Sequence, residues 1–325
     1  MAVILSHSDV ERLMDRAAVY DAVERAHADL CAGTAVNPAP PVLSVGDGSV
    51  LPMVAAATRQ RSSSVKMLSD MPSNRDRGLP AQRSTIMLLS TDTGECEAVL
   101  DGRLITAVRT AAASAVATAH LSRPSSASLG LVGAGTLAVE HVRAVVGVRP
   151  IEKVFVWSRS ADTITRFRDQ VAELDVDVES AESPRQVLSA ADVVCTLTPS
   201  RDPIVDGAWF RPGQHINAVG APPRADHREI NGAGMGSARL VVDSRDTALA
   251  KSGDVLSAIA EGCLGIDDVN CELGDVILDP SRGRRSDDDV TLFNSVGIGL
   301  QDLVCARILV DAARVAGIGT TVEMT

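Results

Sequence analysis

Aromatic residues make up only 2% of this 325-residue chain: four Phe, two Trp and one Tyr. A chain so poor in rings must fill its cores with Val, Leu, Ile and Ala. It also lacks the aromatic faces on which single-stranded nucleic acid stacks. An excess of positive charge is missing as well. The 31 Lys and Arg stand against 42 Asp and Glu, a formal net charge of −11. This balance disfavours nucleic acid and anionic membranes as partners, and it obliges any anionic small molecule to find locally placed cations. The six cysteines (Cys31, Cys96, Cys195, Cys263, Cys271, Cys305) are scattered without a CxxC, and the six histidines are dispersed too. Neither a disulfide framework nor a metal site is therefore expected. The sequence offers no run of about 18 apolar residues, which argues against a transmembrane helix. The N-terminal MAVILSHSDVERL has no basic region before its short apolar run, unlike a signal peptide. The expectation is a cytoplasmic protein with reduced thiols.

What is present is ordinary globular material, 45% hydrophobic and 22% charged, long enough for two domains. Residues 2–5 suit a strand. Ser8-Asp9-Val10-Glu11 reads as a capping box, opening a helical pattern to about Leu30 in one piece or two. From Val36 to Thr110 the pattern turns strand-like, with segments at 42–45, 49–55, 64–68, 84–89 and 97–100. An alanine-rich helix follows at Leu104–Leu121, then a linker around Pro124. Beyond it strands at about 128–132, 153–157, 192–197, 214–219 and 239–243 alternate with helical stretches such as 161–173 and 184–190. A polar loop (281–289) precedes a terminal helix at about 299–316. The expected fold class is α/β: a Rossmann-type doubly wound parallel sheet over 123–299. An α+β, strand-rich domain over 1–122 is completed by 300–325.

The segment ASLGLVGAGTLA (127–138) is the most informative. An apolar strand, Ser128–Val132, runs at once into Gly133-x-Gly135-x-x-Ala138 and a helical pattern. The first glycine makes a tight turn, the second lets a pyrophosphate approach the backbone, and the third small residue lets helix and strand pack closely. Gly133, Ala134, Gly135, Thr136 and Leu137 are thus expected to cradle a dinucleotide, which brings redox chemistry. The C-terminal ends of later strands, Thr196-Leu197 and Val219-Gly220, are expected along the same cleft. At the end of the second strand, where NAD-binding domains place an acid, stand Ser158-Arg159-Ser160. An arginine between two hydroxyls suits a 2′-phosphate, so NADPH is expected before NADH.

VKMLSDMPSN (65–74), GLP (78–80), TGECEAVLDG (93–102) and LITAVRTAAASAVATAHL (104–121) run in order into LGLVGAG (129–135). HINAVGA (215–221), KSGDV (251–255) and NSVGIGLQD (294–302) follow. Over nearly its whole length the chain resembles the ornithine cyclodeaminase/μ-crystallin family, and within it the ketimine-reductase branch. The resemblance implies a homodimer in which the first domain forms the interface and half the active site. It implies reactions that pass through an imine bearing an α-carboxylate. It makes Lys66 and Arg109 the catalytic, carboxylate-binding cations, places Thr85 and Thr110 near the nicotinamide ribose and phosphates, and sets Ser295-Val296-Gly297 over the nicotinamide. Two departures matter. After the NAVG segment, cyclodeaminases carry a catalytic aspartate where this chain has proline, with Asp226 a few residues later. Many relatives have a further arginine within the stretch that reads NPAPPVL (37–43) here, and Arg83 is a candidate replacement. The expected activity is NADPH-dependent reduction of a 2-imino carboxylate, of the Δ1-pyrroline-2-carboxylate or piperideine type before an open-chain one. Its reverse would be an amino-acid dehydrogenase. Cyclodeamination and a non-catalytic NADPH-binding role are the alternatives.

Overall fold

The computed structural model describes residues 1–324. The chain begins β1 (Ala2–Leu5), α1 (His7–Leu13), α2 (Arg16–Cys31), β2 (Ala35–Val36) and β3 (Leu43–Val45). Four longer strands follow: β4 (Gly48–Ala57), β5 (Ser62–Asp70), β6 (Gln82–Ser90) and β7 (Cys96–Asp101). Next come α3 (Arg103–Leu121), β8 (Ser128–Val132), α4 (Thr136–Val145), β9 (Lys153–Trp157), α5 (Ala161–Val171), β10 (Asp177–Ser180) and α6 (Pro184–Ala190). The chain continues through β11 (Val193–Thr196), β12 (His215–Ala218), α7 (Gly232–Ser237), β13 (Arg239–Val242), α8 (Arg245–Lys251), α9 (Gly253–Ala260) and α10 (Leu273–Leu278). It ends with β14 (Thr291–Asn294), α11 (Gly299–Ala316) and β15 (Thr320–Val322). Two compact units result, one of Met1–Arg109 with the segment from Ile298 onward, the other of Thr110–Gly297.

In the first unit an eight-stranded mixed sheet runs β15-β1-β7-β6-β5-β4-β2, with β3 on β4. Period-two alternation gives it two unlike faces. The row Met53–Lys66–Ile86–Leu100–Leu5 crosses five strands in register and is buried. Its neighbour row, Val54–Val65–Met87–Val99–Ile4, faces the other way. Two of its members, Val54 and Ile4, are exposed, as is nearby Met67. The N-terminal cap lies two residues earlier than expected. Ser6, still extended (ψ 171°), caps α1 and exchanges bonds with Asp9, whereas Ser8 already stands in the first turn. The helical pattern divides because Asp15 caps α2 through the amides of Ala17 and Ala18.

The second unit is a seven-stranded, all-parallel sheet in the order β10-β9-β8-β11-β12-β14-β13. The chain leaves β8 toward β9 and β10, then returns to lay β11 on the other side of β8. That reversal opens a crevice at the strands' C-terminal ends, where such sheets bind ligands. Aliphatic layers cover both faces: Leu129, Leu131, Val154 and Val193 belong to one, Val132, Val194, Ile216 and Leu292 to the other. The few rings buried with them include Phe167 and Phe293. Helix α3 is long and apolar enough to cross a membrane by composition, yet 78% of it is buried in the protein, so its apolarity is that of a core helix. Its later residues count with the second unit, where Ser114 bonds His141 and Thr118 bonds Asn217.

Candidate functional site

Lys66 sits in the middle of an apolar row on β5 with none of its surface exposed. An ammonium there must find partners within the unit, and α3 and α11 supply them. Its Nζ donates to Thr106 Oγ1 at 2.8 Å and to both oxygens of Asp302 at 3.0 and 3.2 Å. The Thr106 hydroxyl in turn donates a hydrogen bond to the Gly102 carbonyl at 2.7 Å. Arg109, one helical turn beyond Thr106 and 5% exposed, donates from Nε to Asp302 Oδ1 at 3.2 Å and from Nη1 to Gln301 Oε1 at 2.9 Å. Two cations thus share one carboxylate and the cluster carries a net positive charge. Burial lowers the Lys66 pKa to about 8; Asp302 opposes this shift and the neighbouring Arg109 reinforces it. A guanidinium carries five N–H groups, so pairing with Asp302 and Gln301 does not exhaust it.

The expected pair Lys66 and Arg109 is brought together. Arg83 and Thr85 are not brought to it: register sets them opposite Ser69 and Met67, on the other face of the sheet, and both are exposed. In the 37–43 stretch Asn37 is buried and its side-chain oxygen accepts from the Leu300 amide at 3.0 Å, fixing the first turn of α11. Asp302, Gln301, Thr106 and His27 were not singled out from sequence. The signal for the first two lay in NSVGIGLQD, an acid and an amide at the start of an otherwise apolar helix.

The second unit holds a cleft of about 400 Å³ lined by Gly133, Ala134, Gly135, Trp157, Ser158, Arg159, Thr163 and Leu197, and by the loop Thr198–Arg201 with Ile204. Gly133 has φ +118°, and a Cβ there would lie 2.9 Å from the Leu197 carbonyl oxygen. Around Gly135, by contrast, nothing among the described residues beyond its immediate chain neighbours lies within 4 Å of a Cβ position, and Gly135 begins α4 without a side-chain cap. An uncapped helix N-terminus beside open space suits a diphosphate. Among the described residues no carboxylate lines the cleft, and two arginines do. The residues fit a dinucleotide. Thr136 and Leu137 open α4; Ser160 caps α5.

Buried acids set the loops around this cleft. Glu229 accepts from Thr196 Oγ1 (2.7 Å), Thr198 N (2.6 Å), Thr198 Oγ1 (2.8 Å) and Gly220 N (2.8 Å). It thereby clips the loop after β11 to the loop after β12, where Val219 lies buried. Burial raises its pKa to about 7. Asp243 accepts from Ser295 Oγ at 2.9 Å and Gly297 N at 2.7 Å, so the Ser295–Gly297 turn is fixed, with Gly297 at φ 82°. Thr110 is buried at the start of this unit. Asp226 is exposed and pairs with His227 at 3.0 Å.

Comparison with known proteins places this geometry. The profile of the ornithine cyclodeaminase/mu-crystallin family matches residues 1–316. The chain is 35% identical over 265 residues to the ketimine reductase mu-crystallin of Rattus norvegicus, covering 81% of this chain and 79% of the relative. The structure of Thermococcus litoralis Δ1-pyrroline-2-carboxylate reductase with NADH and L-proline superposes with a TM-score of 0.95 at 34% identity, over 98% of this chain and 100% of that one. An archaeal alanine dehydrogenase dimer with bound NAD gives a TM-score of 0.94 at 29% identity, over 100% and 99%.

Proposed function

The chain belongs to the ornithine cyclodeaminase/mu-crystallin family, and on that premise we propose that it is a nicotinamide-dependent reductase of imines bearing an α-carboxylate. One observation carries the reading: two buried cations on one aspartate. A buried net positive charge is costly, and a substrate carboxylate is the complement that relieves it. Arg109 offers a planar fork and Lys66 a point charge. Together they fix a small imino acid by its one permanent charge and so orient the carbon beside it. A nicotinamide cofactor, which Gly133, Ala134 and Gly135 would hold by its diphosphate, would supply the hydride for the C=N carbon. An iminium is already electrophilic, so the protein's remaining task is the nitrogen proton, and Lys66 is the acid placed to hold or return it. Proline in place of the cyclodeaminase aspartate favours reduction over ring-closing deamination.

Preference for NADPH over NADH rests on Arg159 with Ser158, and on the lack of any carboxylate along the cleft among the described residues. A homodimer is supported by the outward apolar row Val54–Val65–Met87–Val99–Ile4 with Met67. A sheet face with exposed apolar side chains offers a surface for association, and the similar alanine dehydrogenase is a dimer.

Oxidation of NADPH and NADH, followed with cyclic 2-imino acids and with oxo-acid and amine pairs, tests the reading. Turnover with a cyclic 2-imino acid is expected. Ammonia release from ornithine with no net cofactor consumption would replace it with cyclodeamination. Cofactor binding without turnover of any imine would mark a non-catalytic protein.

A further inference from the structure

Behind the cation pair the polar network continues one residue further than the chemistry requires. Gln301 meets His27 of α2, Nε2 to Nε2, at 3.0 Å. His27 is buried in full, and its Nδ1 has no hydrogen-bond partner among the described residues. The bonding directions are forced. Arg109 has donors only, so Gln301 must turn its carbonyl oxygen toward Arg109 and its NH2 toward His27. His27 Nε2 must then accept, which makes the ring neutral with its proton on Nδ1. Burial, which lowers the His27 pKa to about 4, keeps it in that form at neutral pH. An aliphatic side chain would fill this place on an otherwise apolar helix face without burying a lone N–H, which is costly. What the imidazole adds is an acceptor that permits only one orientation of the Gln301 amide.

We propose that His27 is a positioning residue for Arg109, acting through Gln301. The ring fixes the amide, the amide oxygen holds Nη1, and Asp302 holds Nε, so the guanidinium plane is gripped on two edges and presents one orientation to a carboxylate. Without the acceptor, the Gln301 NH2 is left buried and unpaired, and the amide turns to seek another partner. Arg109 then loses one of its two guides. This rests on Arg109 being the carboxylate-binding cation of the proposed reductase.

The test compares His27→Leu, His27→Gln and Arg109→Leu with the unaltered protein, using a cyclic 2-imino acid and NADPH. His27→Leu is expected to raise KM for the imino acid about tenfold, the loss of one well-oriented charge-assisted contact, with kcat changed less. Cofactor Kd should be unchanged, which shows that the variant is folded. His27→Gln, whose side-chain oxygen reaches the Nε2 position, is expected to recover most of the loss. A His27→Leu KM within twofold of the unaltered protein overturns the proposal, as does His27→Gln being as impaired as His27→Leu. A separate check needs no activity: the 15N spectrum of the His27 ring should show the Nδ1-protonated neutral form at pH 7, and the Nε2-protonated form would overturn the proposal. If Arg109→Leu leaves KM unaltered, the carboxylate clamp itself falls, and the inference with it. If Arg109→Leu raises KM while His27→Leu does not, only the inference falls.

Discussion

A lysine enclosed by apolar strands would ordinarily be expelled from a core. Here Lys66 is retained by Thr106 and Asp302, and the balance is close enough to place its pKa at about 8. The sign of the pH effect follows. Below about pH 8 the ammonium is present and the proposed carboxylate clamp keeps both cations; as pH rises through 8 the Lys66 charge is lost. Imine kcat/KM is therefore expected to fall above pH 8, and Lys66→Arg, always charged, should flatten that limb. A profile level to pH 10 in the unaltered protein would remove Lys66 from the clamp. The stability effect runs the other way. Between about 8 and the ordinary lysine value of 10.5 the unfolded chain binds the extra proton, so Lys66's own contribution to stability rises over that window. At the cofactor end, Arg159→Ala should weaken NADPH far more than NADH in a fluorescence titration. Equal loss for both would refute the 2′-phosphate assignment. That Lys66 and Arg109 come together and that Arg159 lines the glycine-turn cleft could be anticipated from residue type and motif. Asp302, Gln301 and His27 were not, since an acid, an amide and a histidine on helices acquire meaning only through what they touch.

Among the elements, the glycine turn and the loops facing it separate two uses of glycine. At Gly220 a Cβ would lie 2.0 Å from the Thr198 nitrogen and 2.4 Å from the Leu197 carbonyl carbon, so backbone meets backbone across the loops that Glu229 clips. Gly220→Ala should destabilise the fold by about 1–3 kcal/mol or more and weaken cofactor with it. Gly135 has φ −82° and open space where a Cβ would go. Gly135→Ala should change stability by less than about 1 kcal/mol, since the lower unfolded-state entropy opposes alanine's poor fit at an N-cap, while lowering cofactor affinity. Denaturant unfolding beside a cofactor titration reads both variants. Normal cofactor binding by Gly135→Ala would contradict a ligand-facing glycine. Most elements could be read from periodicity, and α3, α6, β8, β9 and α11 lie close to their expected limits. Strand β14 escaped because four residues after a polar loop show no alternation, and its place between β12 and β13 is a pairing that no local pattern encodes.

On the scale of the whole molecule, one apolar row of the mixed sheet is spent on the core and the adjacent row is left outside. Met67→Arg on that outer face should convert a dimer to a monomer in sedimentation velocity; an unaltered protein that sediments as a monomer would refute the assembly. The sequence by itself determined the class of the molecule. Alternating strand and helix, an aliphatic core without rings, a glycine turn after a strand and two cations in family motifs are local features, and local features survive in one dimension. Only the tertiary structure decided the electrostatics. Asp302 is 236 residues from Lys66 and 193 from Arg109, and Glu229 joins loops that follow different strands. Strand register likewise turned Arg83 and Thr85 away from Lys66. Whether a charge is buried, shared or exposed depends on which distant segments pack around it, and chain order does not carry that information.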